Sequence, residues 1–292
     1  MPGGRRATHV ILLMLWPALI AGCSEENPAD DTALQEPARK APLASDGPPE
    51  SVSVKPEPPF ILPMAPGVTM EFVGIPPGSF VMGVVGGDLL RQKIRFAKPF
   101  YLGRTEVTQE QWSAVMAGNP SAMKGGKYPV NRVDWPACRA FVKAMNEKYG
   151  ATGMKFALPT EAQWEYACRA GAVLGLDSSD DPNQIERYAW LGSNSHYEPH
   201  LVAQKKPNAW GLYDMQGNVA EWCVHESRLG SNAADPRREP EAVADSDDEP
   251  VYVVRGGNYR EGASACSSTS RFPRRAVVPL RQDGLRLLCT PR

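Results

Sequence analysis

Leu158-Pro159-Thr160-Glu161-Ala162-Gln163-Trp164-Glu165-Tyr166-Ala167 carries the clearest local structural instruction in the chain. Thr160 is a good helix N-cap, and Gln163 stands three positions on, where its side chain can return to the cap N–H. The spacing predicts a helix from Glu161, with Trp164, Ala167 and Cys168 on its inner face and Gly171 as its stop. Two further starts lie upstream. Thr108 precedes Gln109-Glu110-Gln111-Trp112 with the same capping-box spacing, and that helix is expected to stop at Gly118. Asp134 caps a helix with Pro136 in its first turn. Trp135, Cys138, Val142, Met145 and Tyr149 recur there at helical spacing, and Gly150 ends it.

Between and beyond these helices the pattern is of short strands. Val68 to Val73 alternates, the turn Pro76-Pro77-Gly78 follows, and Ser79 to Gly83 and Phe100 to Gly103 read as further strands. Val251 to Val254 reads as a buried strand, and Leu285 to Leu288 as the last one. Residues 227–250 are polar, acidic and Pro-containing, and read as a surface excursion. Capped helices among irregular strands predict a single α+β domain over residues 67–292. Trp112, Trp135, Trp164 and Trp222 fall at element starts or inner faces and are expected in the core.

The amino-terminal end sets the compartment. Arg5 and Arg6 form a basic start, and the apolar run from Val10 to Ala21 is too short for a comfortable membrane span. It ends in Ile20-Ala21-Gly22-Cys23, an aliphatic residue and two small residues before a cysteine, the pattern of a bacterial lipobox. This predicts a signal peptide over 1–22, a lipidated Cys23 and a Pro-, Ala- and acid-rich tether to residue 66, too poor in apolar residues to fold. Acyl chains on Cys23 would hold the protein on a membrane. Ser24, rather than Asp, after the cysteine points to the outer membrane in species that sort by that rule, with the domain facing the periplasm or the cell surface. Lys and Arg (32) nearly balance Asp and Glu (33), so no basic field favours nucleic acid. Export would place the five remaining cysteines, Cys138, Cys168, Cys223, Cys266 and Cys289, where disulfides persist.

Several segments resemble one family in continuous order. They are Met70-Glu71-Phe72-Val73 through Met82-Gly83, Lys98 to Gly103 with Glu106-Val107-Thr108-Gln109, and the Leu158 to Ala167 stretch. Lys206 to Met215, Gly217-Asn218-Val219-Ala220-Glu221-Trp222, Arg255-Gly256-Gly257 and Gly284-Leu285-Arg286 follow. Together they resemble the formylglycine-generating enzyme, or sulfatase-modifying factor, family. The resemblance implies an elaborated C-type-lectin-like fold with much irregular structure.

In the family's enzymes two cysteines after the Gly-Gly turn hold copper and oxidise a sulfatase cysteine. Here Glu261 stands at the first of these positions and Cys266 at the second. A carboxylate is a hard ligand and Cu(I) prefers soft ones, so copper is not expected and Cys266 is expected to be structural. The resemblance also implies a structural Ca²⁺ held by the Asp214 and Glu221 side chains with the Gly217 and Val219 carbonyls. It implies disulfides Cys168–Cys266 and, displaced by one repeat along both elements, Cys138–Cys289, with Cys223 left as a thiol. His196 and His200 are four apart, but Pro199 lies between them, and they are expected to be solvated loop residues. The reading that follows is a non-catalytic binding or accessory module with an envelope protein or ligand as partner. The alternative is an active copper-dependent oxidase, or another oxidase, acting on a protein cysteine.

Overall fold

Both capping boxes form. In the computed structural model Thr108 caps α1 (Gln109–Ser113) and Thr160 caps α3 (Glu161–Arg169); each threonine side chain accepts from the backbone N–H three residues on, while that residue's glutamine answers the cap N–H. Asp134 caps α2 (Trp135–Tyr149) by accepting from the Ala137 N–H, and Gly150 ends it. Helix α1 stops at Ser113 rather than at Gly118, and α3 closes through Ala170 in the left-handed region, one residue before Gly171. The structure describes residues 58–83, 92–172, 184–224, 243–244 and 250–292, which fall within one compact unit, Asp46–Arg292. Cys23, the signal peptide, the tether as far as residue 57 and most of the 227–250 excursion lie outside the described residues. Among those described, no helix is long and apolar enough to cross a membrane.

The first sheet holds β1 (Phe60–Ala65), β2 (Val68–Ile75), β5 (Phe100–Gly103), β6 (Met154–Ala157) and β12 (Leu288–Pro291), in the order β1-β2-β5-β12-β6. Strand β1 corrects the tether boundary. Phe60 pairs with Phe72, and Leu62 and Met64 are buried in the main core, so folded chain begins before residue 67. Pro58, Pro59 and Pro63 hid this strand among tether-like residues; proline is tolerated there because β1 is an edge. Strands β3 (Gly78–Met82) and β4 (Gln92–Phe96) make a separate hairpin.

The second sheet runs β10-β9-β7-β11, built from β7 (Ala220–Cys223), β9 (Pro250–Arg255), β10 (Arg271–Arg275) and β11 (Asp283–Gly284), with β8 (Val243–Ala244) against β9. Only the β7–β11 pairing in this sheet is parallel. The last strand begins at Leu288, not at Leu285. Leu285 and Leu287 are fully buried, but their carbonyls serve the Val107 and Gly103 N–H groups across a loop rather than a ladder. α2 packs on the first sheet through Cys138, Phe141 and Met145, and Trp112 stacks on Phe141 with centroids 4.9 Å apart. Trp112, Trp135, Trp164 and Trp222 are all buried, as their positions predicted. A second cluster lies under α3 and the β3–β4 hairpin, where Tyr166 meets Phe80 and Phe96.

Candidate functional site

The Gly-Gly turn after β9 sets the site. Gly256 and Gly257 both have positive φ, 89° and 66°. A Cβ on Gly257 would stand 2.5 Å from Cys266 Sγ, so the turn and the cysteine require each other. The Cys266 thiol is fully buried and donates to the Asn258 carbonyl at 3.7 Å. Burial first, and then the neighbouring Glu261 carboxylate, push it up to about 12. Gln216 donates to the Cys266 carbonyl (2.8 Å), tying this segment to the loop before β7. Glu261 is half-buried, and its Oε2 is enclosed without a hydrogen-bond partner. The structure thus brings Glu261 and Cys266 into one neighbourhood, as their spacing suggested.

The expected disulfides are not formed. Cys138, Cys168, Cys223, Cys266 and Cys289 are all buried as thiols. Cys168 belongs to the cluster under α3, whereas Cys266 packs with Ile185, Ala189 and Leu191 in a separate one. Cys138 and Cys289 do share the main core cluster, but as small apolar side chains rather than as a bridge. Burial raises the Cys138, Cys223 and Cys289 thiols as well.

The calcium ligand set also fails its fit. Both Glu221 oxygens are committed: Arg286 Nε donates to each at 3.0 Å, Arg286 Nη2 to Oε1 at 2.6 Å, and Trp164 Nε1 to Oε2 at 2.7 Å. Arg286 is fully buried and also donates to the Gly103, Tyr213 and Asp214 carbonyls. A guanidinium thus faces Glu221 where a metal ion would have to sit. Asp214 is turned to other work, accepting from the Ala203 N–H at 2.7 Å, and its Oδ1 has no partner. Among the described residues, no group of three or more His, Cys, Asp and Glu side chains could hold a metal ion.

Sequence reading missed the third acid, Glu106. It is fully buried, accepting from the Val219 N–H (3.0 Å) and Asn218 Nδ2 (2.9 Å). Burial, then Asp214 and Glu221, raise its carboxyl well above the usual range, and burial brings Asp214 to about 6. Its signal was its place in Glu106-Val107-Thr108-Gln109, one of the family-like segments. The loop before β7 that carries Asp214 and Asn218 is tightly held. A Cβ on Gly217 would lie 2.2 Å from the Trp190 carbonyl oxygen, and Asp214 and Asn218 both take positive φ. His200 is not simply solvated, since it stacks on Trp190 at 3.7 Å; its Nε2 lies 2.9 Å from the Ser195 carbonyl. Around α3, Glu165 binds Arg169 (2.5 Å) and Arg255 (2.5 Å), and Glu161 holds Arg271 through two nitrogens. These ion pairs anchor Arg255, the residue before the Gly-Gly turn, to the helix.

Two irregular sheets, three capped helices and a buried Arg–Glu pair beneath a double-glycine turn define an α+β domain of the formylglycine-generating type. The chain belongs to the sulfatase-modifying factor enzyme 1-like domain family, whose model matches residues 63–291. It is similar to Chaperone protein LppX of Paenibacillus barcinonensis, 31% identical over 174 residues, 42% of this chain and 61% of that protein. It is also similar to the formylglycine-generating enzyme of Streptomyces coelicolor, 30% identical over 169 residues, 54% of this chain and 50% of that one. The matches therefore span about half to three-fifths of those two relatives. The inactive C-alpha-formylglycine-generating enzyme 2 of Bos taurus is 27% identical over 244 residues, 76% of this chain and 72% of its own. Among solved structures, Treponema denticola variable protein 1 superimposes with a TM-score of 0.65 and 27% identity, covering 80% of this chain and 99% of that one. PvdO from Pseudomonas aeruginosa gives 0.63 and 25%, with the same coverage.

Proposed function

We propose that this chain is a catalytically silent binding or accessory module, held on the cell envelope by a lipid on Cys23. The observation that carries the first half is the state of Cys266. Oxidative chemistry on a substrate cysteine needs a thiolate and soft copper ligands. Here the thiol is enclosed, hydrogen-bonded to a carbonyl and pushed up to about 12, so thiolate is negligible near neutral pH. Its would-be partner is Glu261, a hard carboxylate that further disfavours a negative sulfur. The similarity to the inactive C-alpha-formylglycine-generating enzyme 2 and to Chaperone protein LppX supports this reading. The Ile20 to Cys23 lipobox carries the second half.

Incubation with Cu(I), oxygen and a Cys-x-Pro-x-Arg peptide, read by mass spectrometry, should leave the peptide cysteine unchanged. Turnover at the level of an authentic family enzyme would overturn the silent reading. A Cys23→Ala chain should lose acylation, and either leave the membrane fraction or accumulate as uncleaved precursor. An acylated product from that variant would refute the anchor.

A further inference from the structure

Strand β10 is an edge of the second sheet, and the chain leaves it through Arg274-Arg275-Ala276-Val277-Val278-Pro279-Leu280-Arg281. Consecutive apolar residues stand there between arginines, and the stretch holds no acid. Val277 is 60% exposed and Val278 42%; Pro279 is exposed as well, and Ala276 and Leu280 are half-buried. Arg274 is held by the buried Asp283 (2.9 Å). Arg281 is exposed and has no hydrogen-bond or ion-pair partner among the described residues. Arg260 shares the Tyr259 neighbourhood with Arg281, and Glu198 is the exposed acid there.

The loop is held at both ends. Its Ala276 carbonyl accepts the Trp135 N–H at the start of α2 (3.0 Å), and its Leu280 carbonyl accepts the Asp283 N–H (3.2 Å). The Gln282 carbonyl accepts the Ala220 N–H of β7 (2.8 Å). The valines are thus presented to solvent on a fixed backbone, where aliphatic surface is costly to leave wet. A protein partner needs roughly 800 Å² on each side, more than one short loop gives. A lipid surface needs no such area, because a short apolar tip enters the acyl boundary while arginine takes headgroup phosphate. Residues 24–57 lie between Cys23 and Pro58, the first described residue. Whatever its conformation, a segment of that length reaches at most about 120 Å. A lipid on Cys23 would therefore hold the loop at an effective concentration on the order of millimolar, where a weak contact suffices.

We propose that the loop at residues 276–280 docks the domain on a phospholipid surface, Val277 and Val278 entering the headgroup boundary and Arg281 binding lipid phosphate. The apolar tip carries the contact, and Arg281 favours anionic lipid. The proposal rests on the lipid anchor for its effective concentration and not for its chemistry. Docking fixes which side of the domain faces the bilayer, an orientation that a tether alone leaves free.

The test is hydrogen–deuterium exchange on the mature chain, residues 23–292, coupled through the Cys23 thiol to a maleimide phospholipid in vesicles. The vesicles hold equal parts of phosphatidylcholine and phosphatidylglycerol. The other five cysteines are buried, which confines coupling to Cys23. The coupling is chemical, so the result does not depend on whether a cell acylates Cys23. A loop docked four-fifths of the time should exchange about fivefold more slowly at the amides of residues 277, 278, 280 and 281 than in the uncoupled chain in buffer. Val277→Ser/Val278→Ser should remove that protection while the chain stays coupled, and Arg281→Gln should weaken docking about fivefold. Melts equal to wild type show that both variants fold. An unprotected loop in the coupled chain, protection retained in the double variant, or equal docking by Arg281→Gln and wild type would overturn the proposal. So would protection in buffer that rises with protein concentration, which marks a second copy as the occupant.

Discussion

Replacing Arg286 by Met tests whether an internal guanidinium, rather than a metal ion, neutralises the acids of this fold. Arg286 and Glu221 are 0% and 1% exposed, and the bidentate contact is supplemented by Arg286 donations to three backbone carbonyls. Met removes the charge and the donors while keeping much of the volume. It leaves Glu221 with only the Trp164 indole, beside the buried Glu106 and Asp214. Breaking a buried pair by removing one partner costs about 3–5 kcal/mol. For a domain of this size, each kcal/mol moves the melting temperature by roughly 2–4 °C, so the loss should be on the order of 6–20 °C. The assay is thermal melting of the mature chain, with and without Ca²⁺ and with chelator. Neither addition should shift the wild-type melt, because both Glu221 oxygens are already taken. The double variant Arg286→Met/Glu221→Leu should recover part of the loss, since it removes the uncompensated charge. A melt of Arg286→Met within 3 °C of wild type would refute the reasoning. So would stabilisation of the wild type by Ca²⁺ that disappears in Glu221→Gln.

Two further outcomes follow from the buried groups. Asp214 and Asp283 are raised by burial to about 6, so between the unfolded value of 3.8 and about 6 the folded state holds more protons. Their contribution therefore disfavours folding as pH rises through that window, and lowering the pH from 7.5 to 5 should gain roughly 1 kcal/mol from each. Melts across this range should show a slope that Asp283→Asn reduces; identical slopes in variant and wild type would count against it. The thiols give a second outcome. Cys138, Cys168, Cys223, Cys266 and Cys289 should resist a thiol reagent in the native protein and all react after denaturation, and reductant should leave the melt unchanged. A Cys168–Cys266 or Cys138–Cys289 peptide in a non-reducing digest would contradict the structure.

The helices were legible because their signals are local. Thr108 with Gln111, Asp134 with Pro136 and Thr160 with Gln163 each satisfy backbone N–H groups within one turn, so no distant residue is needed to read them. The family was legible as well, since its segments stand in order along residues 63–291. The strand at Phe60–Ala65 was not, because its proline-rich letters resemble the tether and only pairing with β2 and burial of Leu62 and Met64 make it a strand. The fate of Glu221 was likewise invisible: Arg286 lies 65 positions away, and a carboxylate in a Gly-Asn turn reads alike whether it meets Ca²⁺ or a guanidinium. The cysteines posed the same problem, because their spacing fixes which face each occupies but not which cluster it enters. The sequence by itself determined the helix starts, the family and the Glu261 substitution, all carried by neighbouring residues or by order along the chain. Only the tertiary structure decided the charge partners, the thiol state and the exposure of Val277 and Val278, because each depends on which segments the chain brings together from far apart.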